Sequence, residues 1–505
     1  MLIDYNGLTL TFLRLGTQLT IASISTAAGQ ETWYIGSMVH SLKRDSLEIM
    51  DTAILAVRDG VIQWKRGVPS ESELATVLED LLGTNSSSIP PNIELITDGF
   101  LCPGMVDTHT HAPQYPNNGL GAELQLLDWL DKYTFPLEKK YSDEELARRA
   151  YSAVVQRTLN AGTTTSCYYA TLHNEASWTL ARICEEEGQR ALVGKCSMDV
   201  GSYSEKDAFD KTEEFIKKFP GSEMVQPILT PRFALSCTDG LMQELGSLAA
   251  KDNLRVQTHI SENHAEIAEV KKRFGCSYAA AYDRFGLLGP RTILAHAVHL
   301  TEDERALIKQ RECGISHCPN SNLHLNSGLC PVASLLDEGL KLALGSDCSG
   351  GSALGILPQI RLAIQVSRAL VMTGKAKRSL SLAEAWWLAT RGGGEVAGFD
   401  VGNFEPGRRF DALHIKPCSL GMFVSEDEET KTAELFEKWI WTGDDRDIER
   451  VWVDGQLVVD KSDGDVVDGD DDDDDSELGG DSDADSEPTE VEIGTANGTP
   501  NGKVK

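Results

Sequence analysis

The sequence predicts an α/β protein: a (β/α)8 barrel of the TIM type, a small β-sandwich domain formed from both chain ends, and a disordered acidic C-terminal tail. Three observations point there. With 505 residues, 41% hydrophobic and 25% charged, the chain has globular composition and length for one large barrel plus a smaller partner. Its middle alternates short apolar runs with amphipathic helical segments over roughly 300 residues, enough for eight βα units of a barrel. Both ends carry β-like runs with Asp-Gly turn signals.

In chain order, Ala53-Ile54-Leu55-Ala56-Val57 is followed by Asp59-Gly60, a hairpin signal. Residues Gly83 to Pro91 read as a polar loop. The barrel strands are expected at Ala191–Gly194, Val225–Leu229, Val256–His259, Thr292–His296 and Leu342–Gly345. A doubly wound sheet is the structural rival. Gly392 to Gly394 follow a helical stretch, not a strand, which points to a helix end or close packing and away from a phosphate loop. Phe410–Ile415 and Val451–Val459, the latter holding Asp454-Gly455, return to β character. The expected domains are 1–100 with 400–460, a composite β domain; 101–399, the barrel; and 461–505, a tail too poor in large apolar residues to order itself.

Net charge is −31; residues 463–505 hold 16 acidic and two basic residues, which leaves −17 on residues 1–462. A folded part that acidic argues against nucleic acid and anionic membranes as partners. Eleven cysteines without a Cys-x-x-Cys pair argue against a disulfide framework and for a reducing compartment. The start, Met1-Leu2-Ile3-Asp4, lacks the basic segment of a secretory signal, and no run approaches the ~20 apolar residues of a membrane span, so the cytoplasm is the expected location.

Residues 102–111 read Cys-Pro-Gly-Met-Val-Asp-Thr-His-Thr-His. In a strand, His109 and His111 project from one face, as metal ligands or as polar strand residues. His259 and His296 close two apolar barrel runs, and Asp347 follows a third. Barrel active sites lie at such strand ends, so four histidines and a carboxylate would converge on one rim, a donor set suited to Zn2+ or Fe2+. Glu262, three residues after His259, is a candidate acid and base, or a carboxylate complementing a helix dipole. His-Glu-x-x-His and Pro-Cys-x-x-Cys are both missing, which excludes a zincin and a cytidine-deaminase fold.

Pro103 to His111, His259-Ile260-Ser261-Glu262, Ala295-His296, His317-Cys318-Pro319-Asn320-Ser321-Asn322 and Gly345-Ser346-Asp347 resemble the mononuclear metal deaminases of the amidohydrolase superfamily. His111-Ala112-Pro113-Gln114-Tyr115, Trp129 to Pro136, Gly162 to Thr165, Thr230-Pro231-Arg232-Phe233 and Gly443-Asp444-Asp445-Arg446 are similar to the guanine deaminases among them. The resemblance implies hydrolytic deamination of guanine, one Zn2+ per chain and a homodimer. It implies metal ligands His109, His111, His259 and Asp347. Catalysis would fall to Glu262, Asp347 and His296, and substrate contacts to Gln114, Arg232, Phe233, His259, Glu262 and Asp347. His317 and His299 are expected to be structural. So is Lys195, which would sit where binuclear relatives carry a bridging lysine, at the end of the fourth strand.

Overall fold

The computed structural model describes residues 2–5, 8–11, 29–84, 90–121, 123–418, 422, 424 and 431–462. The acidic tail beyond residue 462 and residues 85–89 of the polar stretch lie outside them. A two-stranded hairpin, Leu2–Tyr5 with Leu8–Thr11, opens the chain.

The first sheet forms where alternating residues can bury both faces. Its strands are β1 (Thr32–Lys43), β2 (Ser46–Arg58), β3 (Val61–Gly67) and β4 (Asn92–Pro103). Its remaining strands come from the other end of the chain. On β1 and β2, Trp33, Ile35, Ile54 and Ala56 pack under a helix, Glu71–Thr84, through Val77, Leu78 and Leu82. Tyr34, Leu55 and Val57 face the other way, against Phe410 and Trp452. Asp59 and Gly60 both take positive φ and make the β2–β3 turn, as the Asp-Gly signal predicts. The helix runs through Gly83 and Thr84, where the sequence suggests a loop. Its apolar positions Leu74, Val77, Leu78, Leu81 and Leu82 recur at helical spacing and outweigh the breaker residue that follows.

The barrel comprises β5 (Met105–His111), β6 (Thr163–Tyr169), β7 (Arg190–Gly194), β8 (Val225–Pro231), β9 (Arg255–Ile260), β10 (Thr292–His296), β11 (Gly314–His317) and β12 (Lys341–Leu344). All neighbours along this order pair in parallel. Closure comes just past the last strand: Asp347 N donates to His109 O at 2.9 Å and His111 N to Cys348 O at 3.2 Å. Val106, Cys167, Leu192, Ile228, Ile293 and Ala343, one from each of six strands, bury one cluster with Val396 and Phe399. The intervening helices start at short polar residues whose side chains accept from the first free N–H groups, among them Asp143, Thr238, Asn263, Ser277 and Thr301. Gly392 to Gly394 lie in a short helix, Arg391–Ala397, packed on β5; a Cβ at Gly393 would stand 2.5 Å from Val106 Cβ. Close packing is therefore the reason for the glycines.

The chain then returns to the first sheet with β13 (Ala412–Ile415), β14 (Ile448–Val453) and β15 (Gln456–Asp460). The strand order is β15-β14-β13-β4-β1-β2-β3. Tyr34 on β1 meets Trp452 on β14 at 5.5 Å between ring centroids, although two strands separate them in that order. The sheet thus folds over on itself and buries an interior. Lys195 follows β7, so it closes the third barrel strand, not the fourth. Only Met105–His111 and the hydroxyl-rich Thr163–Tyr169 precede it in the barrel, and the fourth strand is Val225–Pro231.

Candidate active site

The C-terminal strand ends bring five sequence-predicted side chains to one point. His109, His259, His296 and Asp347 each offer a donor atom, all within 4.8 Å of one another. His111 Nε2 joins them at 3.2 Å from His259 Nε2 and 3.4 Å from Asp347 Oδ1. Backbone geometry aims several of these groups. His296 (φ 71°), Asp347 (φ 48°) and Ser261 (φ 48°) occupy the left-handed region just where the strands end. Non-glycine residues hold that conformation only when their surroundings over-determine it.

Proton placement favours a cation at the centre. His259 Nδ1 lies 2.6 Å from Arg232 O, an acceptor only, so the ring proton sits there and Nε2 turns a lone pair toward His111. His109 Nε2 is buried 3.1 Å from Asp347 Oδ1, the oxygen that His111 Nε2 also faces. Burial pushes the His111 and His259 imidazoles well below the usual histidine range, which keeps them neutral and able to ligate. Burial also opposes the charge of Asp347, yet His109, His296 and His111 around it outweigh that and hold its carboxyl well below the usual range. Neutral His111 and His259 imidazoles beside the ionised Asp347 carboxylate fit a divalent metal ion.

Around this cluster sits the machinery for a proton. His296 Nδ1 is 3.0 Å from Asn322 Oδ1, so Nε2 faces Glu262 Oε2 at 3.6 Å and Asp347 Oδ2 at 3.8 Å. Glu262 is buried; Ser327 donates to its Oε1 at 2.9 Å. Burial raises its carboxyl above the ordinary range, with His296 opposing. One pocket is lined by His111, Gln114, Arg232, Phe233, His259, Glu262, His296 and Asp347, and walled by Trp129, Leu130 and Leu325.

The amidohydrolase family profile matches residues 100–458, which span the barrel and the last strands of the sheet. The chain belongs to the amidohydrolase family. Among curated amidohydrolase relatives, it is 44% identical over 441 residues to the probable guanine deaminase of Schizosaccharomyces pombe, covering 84% of this chain and 83% of that one. It is 40% identical over 446 residues to the guanine deaminase of Rattus norvegicus, with 84% and 96% covered. Among solved structures, the guanine deaminase of C. acetobutylicum with bound guanine in the active site superposes with a TM-score of 0.77 at 35% identity, covering 85% of this chain and all of that one.

Within this amidohydrolase, three residues near the pocket escaped the sequence reading. Asp107 is fully buried; its Oδ1 accepts from His109 N and Ser346 N, and its Oδ2 from Ser346 Oγ at 2.5 Å. It ties the first strand to the loop carrying Asp347. Glu138 pairs with Arg232, and Glu266 accepts from Glu262 N and from Tyr278 Oη. Each is one carboxylate among many until the barrel closes around it. His317 is buried, and among the described residues neither of its ring nitrogens has a hydrogen-bond partner. His299 Nε2 lies 2.7 Å from Ser327 O, and Lys195 is buried in an ion pair with Glu205 at 2.8 Å.

Proposed function

We propose that this chain is a guanine deaminase, a zinc-dependent guanine aminohydrolase that converts guanine and water to xanthine and ammonia. The observation that carries this reading is the pocket itself. A metal-type donor cluster, a buried carboxyl group and the side chains of Arg232, Gln114 and Phe233 share one cavity, in a chain 40% identical to the enzyme of Rattus norvegicus.

His109, His111, His259 and Asp347 would hold one Zn2+, with His296 beside it; bound there, the ion supplies Lewis-acid activation of water at neutral pH. Asp347 takes the proton of the attacking water. His296, its Nδ1 engaged by Asn322, keeps Nε2 directed at the same point and orients that water. Glu262 protonates the ring nitrogen beside C2 and recovers a proton from the new C2 hydroxyl as the carbonyl forms, while the proton taken up by Asp347 passes to the departing amine. Burial disfavours the charged form of Glu262, which suits a group that must hold a proton before giving it up. Arg232 offers a rigid fork of donors to the purine carbonyl, Gln114 an amide, and Phe233 an aromatic face.

We take residues 1–100 with 400–460 as one β domain, 101–399 as the catalytic barrel and 461–505 as a tail. The interleaving of β4 between β1 and β13 supports that division. We also read the protein as a cytoplasmic homodimer, to be checked by light scattering and by imaging a tagged chain. Among the described residues no helix is long and apolar enough to cross a membrane.

The test of the function is ammonia release from guanine with zinc measured on the same sample. Release from guanine with one zinc per chain is expected. Turnover of a pterin, triazine or cytosine instead of guanine, or two tightly held metals per chain, would refute the corresponding part of the assignment.

A further inference from the structure

Glu138 stands behind the pocket, at the end of a short helix, Phe135–Glu138, and is fully buried. Its carboxylate accepts three hydrogen bonds. Arg232 Nη1 donates to Oε2 at 2.6 Å, Arg232 Nη2 to Oε1 at 3.0 Å, and Gln114 Nε2 to Oε1 at 3.0 Å. Two side chains assigned to the purine therefore converge on one acid that lies outside the metal cluster and makes no use of the proton machinery. Phe135 adds its ring 5.1 Å from the Arg232 guanidinium, so the same helix grips that group from a second side.

The chemistry of this pairing has two consequences. A carboxylate accepts and never donates, so Gln114 must turn its amide NH2 toward Glu138. Its carbonyl then accepts from Ser349 N at 3.3 Å, and the two contacts fix which end of the amide faces which way. What remains toward the cavity is one N–H and one carbonyl lone pair in a set order, a pattern that can match a ring amide of a purine. The second consequence concerns charge. A lone guanidinium buried at this depth would attract any anion; paired bidentately with Glu138 it offers donors without net charge.

We propose that Glu138 is a positioning residue for the substrate, fixing the order in which Gln114 presents donor and acceptor and cancelling the charge of Arg232, so that the pocket reads a neutral purine and releases an anionic one. The anion that matters is the product. Xanthine is a stronger acid than guanine and is partly ionised near neutral pH, so an unpaired Arg232 would retain it. This inference rests on the guanine deaminase reading and adds to it the residue that sets the pocket's polarity.

The experiment uses the metal-loaded full chain, wild type and Glu138→Gln, with guanine turnover and xanthine inhibition measured on either side of the pH at which xanthine ionises. In Glu138→Gln, guanine kcat/KM is expected to fall about tenfold or more, because hydrogen bonds to a charged acceptor are lost. Inhibition by xanthine should tighten at the alkaline pH and change little at the acidic one, and metal content should match wild type. In an Arg232→Met background the same replacement should no longer tighten xanthine binding, since the effect runs through the guanidinium. A variant with loose packing alone would weaken guanine and xanthine alike at both pH values, and that result overturns the proposal, as does an unchanged KM. Should Glu138→Gln fail to fold, Glu138→Asp decides: the charge is kept but drawn back, so guanine KM should rise while xanthine inhibition stays at the wild-type level, and an unchanged KM overturns the role. Wild-type protein that releases no ammonia from guanine refutes the function itself, an outcome distinct from any of these.

Discussion

At the scale of single residues, the proposed roles overlap at His259 and Asp347 but leave Glu262 and Arg232 outside the proposed metal ligands, and replacement should reveal that division. Glu262→Gln keeps shape and hydrogen bonding but removes the proton carrier. Its kcat is expected to fall about 100-fold or more with KM and zinc content near wild type; a kcat within threefold of wild type would assign the proton to another group. Arg232→Met would remove the charged hydrogen bonds proposed to reach the purine, so guanine kcat/KM should drop roughly ten- to 150-fold. The structure adds a consequence that the sequence does not carry. The same change strands the buried Glu138 carboxylate, so a lower melting temperature should accompany the kinetic loss and should recover in Arg232→Met/Glu138→Gln. Every one of the predicted ligands and substrate residues lies at the rim because each falls in the last three residues of a strand or follows one within a few residues. Strand ends are legible as the last residue of an apolar run. Glu138, Glu266 and Asp107 are not legible that way: they sit on a short helix, a longer helix and mid-strand, and only the folded chain puts them beside Arg232, Glu262 and Ser346.

Among the elements, β14 carries a charge cluster with a calculable pH signature. On Glu449, His414 Nδ1 lies 2.9 Å from one oxygen and Lys416 Nζ donates to the other at 2.8 Å. The contact with His414, and then Lys416, outweigh partial burial and hold its carboxyl down to about 2, below the ordinary 4.5. A depressed pKa means that the folded state gains from the ionised form. The contribution is complete above about pH 4.5 and disappears as pH falls to about 2. Melting temperatures of wild type and Glu449→Gln should therefore differ by a constant amount above that window and converge inside it; a gap independent of pH down to 2 would contradict the assignment. The helix of Gly392 to Gly394 gives a packing test. Gly393→Ala drives a methyl to 2.5 Å from Val106, and overpacking of this kind costs typically 1–3 kcal/mol, measurable by denaturant unfolding.

For the whole molecule, the barrel and the folded-over sheet are joined by a buried ion pair. Arg190 on β7 grips Asp411 bidentately, at 3.0 and 2.9 Å, and also reaches Asp454 in the β14–β15 turn. Breaking such a pair from one side leaves an uncompensated buried charge, so Arg190→Met is expected to cost about 3–5 kcal/mol of stability while guanine KM in the surviving folded fraction stays near wild type. None of the proposed site residues lies after residue 462. Truncation there should leave turnover and melting temperature nearly unchanged, and a large loss of either would assign them a structural part.

What the sequence determined by itself was whatever depends on local order along the chain. Period-two and apolar runs marked β7, β8, β9, β10 and β12, Asp-Gly pairs marked both hairpin turns, and His109, His111, His259, His296 and Asp347 could be placed at strand ends before any contact was known. Two barrel strands stayed hidden. Thr163–Tyr169 is rich in hydroxyls and Gly314–His317 has four residues, so neither shows the apolar run that marks its neighbours, although both are wholly buried. Only the tertiary structure decided which distant groups share a hydrogen bond: that Glu138 meets Arg232 across 94 positions and that Asp107 holds Ser346 across 239. The reason is physical. Local periodicity is set by the backbone's own repeat, whereas the partner of a buried charge is set by barrel closure, which brings together side chains that no spacing in the sequence relates.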